Sequence, residues 1–209
     1  MSPTVYEKSL RAGIFLLGCA INCLCNASPG EVTDHSVPQP DQVARQGLAA
    51  LHAYAAYKSG NYNRALDLWR TLAEQGNTTA MNNLANMYEQ GQGTEQDLGK
   101  AADWLRKAAE VGDHIAQLNL GLAYEKGRGV PRDNEQAAHW FRLAAEQGDR
   151  DAQFNLGIML ATAYGEGFAA ATGAQKQEAG EWLAKASEGG HPDAGAFLSL
   201  LNSSSAAEN

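Results

Sequence analysis

The chain has 209 residues, with 16 Lys and Arg against 24 Asp and Glu and a net charge of −8. An acidic balance of this kind argues against nucleic acid and against anionic membrane surfaces, since both are gripped by clustered Lys and Arg. Apolar residues make up 44%, enough for a core, and all three cysteines (Cys19, Cys23 and Cys25) fall near the start, so the rest must be held by packing alone.

Taken in chain order, Lys8 and Arg11 precede an apolar run from Ala12 to Leu24 that only Asn22 interrupts. Cys25-Asn26-Ala27 then places a small residue at the minus-three and minus-one positions of a cleavage site. Residues 1–27 read as a secretory signal peptide cut after Ala27, because the run is shorter than the ~20 apolar residues that cross a bilayer. The alternative is a lipoprotein: Leu16-Leu17-Gly18-Cys19 offers a lipobox, and a lipidated Cys19 would tether the chain to a membrane. Either route implies a periplasmic or secreted protein. Loss of residues 1–27 removes Glu7, Lys8 and Arg11, which leaves 14 basic against 23 acidic side chains and a net charge of −9. Residues 28–40, with Pro29, Pro38, Pro40 and Gly30, read as a flexible linker.

From residue 41 to 202 the chain repeats itself about every 36 positions. Trp104-Leu105-Arg106-Lys107-Ala108-Ala109-Glu110-Val111-Gly112 returns as Trp140-Phe141-Arg142-Leu143-Ala144-Ala145-Glu146-Gln147-Gly148, with looser copies from Trp69 and Trp182. A second block follows each copy: Ala80 to Leu84, Ala116 to Leu120, Ala152 to Leu156. A fixed period of this size marks a solenoid, whose units bury their apolar faces only against one another. Within a unit, Ala116, Leu120 and Tyr124 stand at i, i+4 and i+8 on one helical face, as do Ala80, Leu84 and Tyr88. Glycine pairs (Gly91 and Gly93, Gly127 and Gly129) then end the first helix. Asp97 and Asp133 cap the second, with Gln136 completing a capping-box pattern, and Asn77, Asp113 and Asp149 cap the next first helix. Ala152 to Ala194 spans 42 positions, six above the period, and the excess lies between Leu160 and Ala179. There Gly165-Glu166-Gly167 leads into an Ala-, Gly- and Thr-rich stretch without an Asp cap, which predicts an enlarged loop at 165–174. Residues 203–209 are expected to fray as a disordered tail.

The composite spacing A-x-x-N-L-x-x-x-Y-x-x-G-x-G, then D, then A-x-x-W-x-x-x-A-A-E-x-G resembles the Sel-one-like repeat, a relative of the tetratricopeptide repeat. The resemblance is close over residues 64–160, and Gly60 to Ala65 is similar to the turn of a degenerate opening unit. It implies an all-α fold, a right-handed α/α solenoid of about four helix pairs. It also implies partner binding on a concave face, and with the export signal the expectation is a non-enzymatic adaptor of the bacterial cell envelope that binds a protein or peptide there. Carried over unit by unit, the contact positions are Asn82, Asn86 and Glu89, then Ile115, Leu118, Leu122 and Glu125, then Phe154 and Ile158, with Tyr54, Tyr57, Thr79 and Asp151 beside them. Apolar anchors among carboxylates would suit a segment with spaced hydrophobes and a few basic residues. Some secreted, cysteine-rich members of the family are reported to bind or hydrolyse β-lactams, which supplies the alternative function; this sequence lacks their paired cysteines.

The residues themselves point to no chemistry. The histidines (His35, His52, His114, His139 and His191) show no i, i+4 pairing, and neither a zinc-peptidase helix motif nor a nucleophile elbow is present. No metal or cofactor is expected. The periodic Trp104, Trp140 and Trp182 fall on the apolar face of their helices and read as core. Glu74, Glu110, Glu146 and Glu188 are expected to lean toward the amides of the next helix, and Asn83, Asn119 and Asn155, one per unit, to form a hydrogen-bonded ladder.

Overall fold

The computed structural model describes residues 40–167 and 169–206, and every regular element among them is an α-helix. The expected export signal at 1–27 and residues 28–39 of the expected linker lie outside the described residues. The helices are α1 (Pro40–Lys58), α2 (Tyr62–Glu74), α3 (Thr78–Gln90), α4 (Leu98–Glu110), α5 (His114–Lys126), α6 (Asn134–Glu146), α7 (Arg150–Ala161), α8 (Gly173–Glu188) and α9 (Ala194–Ala206). The last of them runs to Ala206, so regular helix continues past the point where the sequence suggested fraying. None of the described helices is long and apolar enough to cross a membrane.

Five consecutive helices, α2 to α6, are each 13 residues long. Helices of that length are marginal in water, so their ends and their packing must hold them. The ends are capped as the period predicts: Asn77, Asp97, Asp113, Asp133 and Asp149 each accept a backbone N–H two or three residues on. Glu74, Glu110, Glu146 and Glu188 do not serve the amides that open the next helix. All four side chains are exposed and make no hydrogen bond to a described residue, contrary to expectation.

Packing joins each unit to the next. One core runs from Ala53 to Leu120 through Trp69, Leu84 and Met87; a second gathers Phe141, Leu156, Leu160 and Leu183. Trp69 is buried, Trp104 and Trp140 pack on the first core and Trp182 on the second, in keeping with their reading as core. Two buried glutamines replace apolar residues at the joints: Gln117 Nε2 donates to the Ala109 carbonyl and Gln153 Nε2 to Ala145, a second donor for helix-end carbonyls that also accept from the Gly112 and Gly148 amides.

The turns explain one departure from the period. Gly93 and Gly129 have φ of +72° and +73°, and a Cβ on Gly129 would stand 2.0 Å from the Leu98 carbonyl oxygen. Each turn thus lies directly on the start of the preceding unit's second helix. Thirty-six positions after Gly127 and Gly129 stand Ala163 and Gly165, at φ +46° and +96°. The glycine pair of the fourth unit is therefore in register at 163 and 165, with alanine in the first place, rather than at 165 and 167. The six extra residues follow that register point. They do not all enter a loop at 165–174: three separate the caps, Asp149 to Thr172 against Asp113 to Asp133, and three lengthen α8 to 16 residues. Thr172 starts α8 with a complete capping box against Gln175, which is why the helix begins without an Asp.

Candidate functional site

The expected contact residues do not form one surface. Asn82, Asn86, Glu89 and Leu122 come together in a cleft of about 170 Å³ between α3, α4 and α5. Phe154 does not face outward: its ring stacks on His191 at 4.0 Å and meets Phe197 of α9 edge-on at 5.4 Å. Leu118 and Ile158 are half-buried against the second core, as is the far side of Leu122. Ile115, 50% exposed, and Glu125 lie outside the cleft lining. Leu118, Phe154 and Ile158 thus contribute to packing between units.

The cleft floor is built from small and branched side chains of α3, α4 and α5: Ala85, Ala101, Ala102, Leu98, Leu105 and Ala123. Alanine at 101 and 102 lets α4 approach closely and leaves the space above it open. The rim is polar. Asn82 Nδ2 donates to Asp113 Oδ1 at 3.0 Å, tying α3 to the cap of α5, while its Oδ1 is buried with no partner. Burial raises the pKa of Asp113, but the Ala116 amide, Asn82 and the Thr78 hydroxyl outweigh it, and the carboxyl lies below the ordinary aspartate value. Glu89 pairs with Arg128, which reaches back from the turn after α5, so the two charges at the cleft cancel. Asn86 and Asn119 carry amides that bond to no described residue.

The expected asparagine ladder is absent among the described residues. Asn83 Nδ2 turns onto its own helix at the Thr79 carbonyl, and neither Asn119 nor Asn155 makes a side-chain hydrogen bond. Leu105 and Arg128 carry no signal in the sequence as cleft residues. The signal for Asn119 was its recurrence, read there as structural; nothing in the sequence joins Arg128 to Glu89, 39 residues earlier. No three metal-ligating side chains converge among the described residues.

Comparison with known proteins identifies this architecture. The Sel1 repeat model matches residues 44–77, 78–113, 114–149 and 150–191, each containing one helix pair. The chain belongs to the Sel1 repeat family. It is similar to a Sel1 repeat protein from Oxalobacter formigenes, at 35% identity and a TM-score of 0.64 over 72% of this chain and 60% of that one. It is also similar to c5321, a protective antigen of uropathogenic Escherichia coli strains with an SLR fold, at 34% identity and a TM-score of 0.65 over 77% of this chain and 35% of that one. The chain thus spans less than two thirds of either relative. Comparison with curated proteins finds no match. Sel1 repeat proteins generally mediate protein–protein interaction and are typically non-catalytic scaffolds. The β-lactam reading gains no support from these relatives.

Proposed function

We propose that the chain is a non-enzymatic adaptor of the bacterial cell envelope that holds an extended segment of a partner protein in the cleft between α3, α4 and α5. The observation that carries this reading is the pair of unengaged amides, Asn86 and Asn119, at the rim of an apolar floor. An asparagine amide both donates and accepts, as a peptide bond does. An extended main chain offers such groups freely, whereas a helix has already used them. Because Arg128 neutralises Glu89, the cleft gives no preference for basic residues, which revises the expectation from sequence. The envelope location rests on the signal-like residues 1–27.

In-cell crosslinking of the tagged full-length chain tests both parts. One dominant partner with crosslinks on residues 78–126, lost on Asn86→Arg, supports the adaptor; folded bait that captures no protein overturns it. Asn86 is chosen rather than Leu118 or Leu122 because both leucines pack on the second core. Mass spectrometry of the bait's own N-terminus reads its export: a chain beginning at Ser28 indicates cleavage after Ala27, a lipid on Cys19 indicates the tether, and an intact Met1 overturns export.

A further inference from the structure

We draw no further inference here: the strongest candidate, the exposed apolar stripe that Leu48, Leu51 and Ala55 form along α1, is an unpartnered helix face, and nothing in the structure shows what covers it.

Discussion

The joint between units two and three and the joint between units three and four are two builds of one frame. In both, a 13-residue helix ends on a left-handed glycine, a short turn lies on the unit before it, and an Asp starts the next helix. They diverge where the frame leaves freedom. The first opposes Leu105 to Ala85 and lines the space with Asn82, Asn86 and Asn119; the second opposes Phe141 to Gly121 and covers it with Leu118, Leu122 and Ile158. Caps and turns are thus repeated because each satisfies backbone groups locally. The contents of a joint vary because they need only complement one another.

The sharpest way to break the contrast is to empty the filled joint. Phe141→Ala should cost about 3–5 kcal/mol, the usual range for a fully buried ring, whereas Leu105→Ala trims a side chain beside open space and should cost about 1–2 kcal/mol. Urea unfolding of both variants measures the difference; equal losses would show that the two joints are packed alike. Next in size are the turns. Gly129→Ala combines a left-handed backbone with a direct clash on the Leu98 carbonyl and should lose about 3 kcal/mol. At Gly165, in register with Gly129, the new Cβ would meet only the Asn134 amide at 3.5 Å, so Gly165→Ala should lose about 1 kcal/mol from the backbone alone.

How far all this could be read in advance depends on the range of each rule. N-caps, glycine ends and the apolar face of each helix follow from residues a few positions apart, so the period exposes them. Phe141 and Leu105 are visible as a difference, but its meaning lies in Gly121 and Ala85, twenty positions earlier on a neighbouring helix. Phe154 looked like a groove residue until His191 and Phe197 closed over it. Those partners come after the insertion, and length alone cannot divide six extra residues between a turn and a helix. The division depends on where a cap can form, and Thr172 with Gln175 supplied one that a search for Asp passed over.

The fourth unit departs from the frame in a way that can be reversed. Ala163 holds at φ +46° the place that Gly91 and Gly127 hold at +66° and +65°. A Cβ in that region costs about 1–2 kcal/mol, while glycine gives back roughly 0.5 kcal/mol through the freer unfolded chain. Ala163→Gly should therefore stabilise the protein by about 0.5–1 kcal/mol in thermal unfolding. A loss would mean that the methyl group contributes packing at this position that outweighs the strain, since its residue is buried.

The smallest effect concerns the charge on the cap at the first joint. Asp113 has a folded pKa below its ordinary value because the Ala116 amide, Asn82 and Thr78 together overcome the cost of burial. A group lowered in the folded state adds stability that is fully present above the unfolded pKa, about 4, and is lost as pH falls through the folded value. Asparagine caps α3 at the matching position, Asn77, with the same bond to the third backbone amide. Asp113→Asn should thus keep the cap and remove only the charge. The expected result is a shallower fall in Tm between pH 7 and pH 3, by the equivalent of about 0.5 kcal/mol, since solvent screens a carboxyl this exposed. If the variant loses stability equally at both pH values, the cap acts through hydrogen-bond geometry and the charge contributes nothing, which would make the caps of the two helices equivalent in kind.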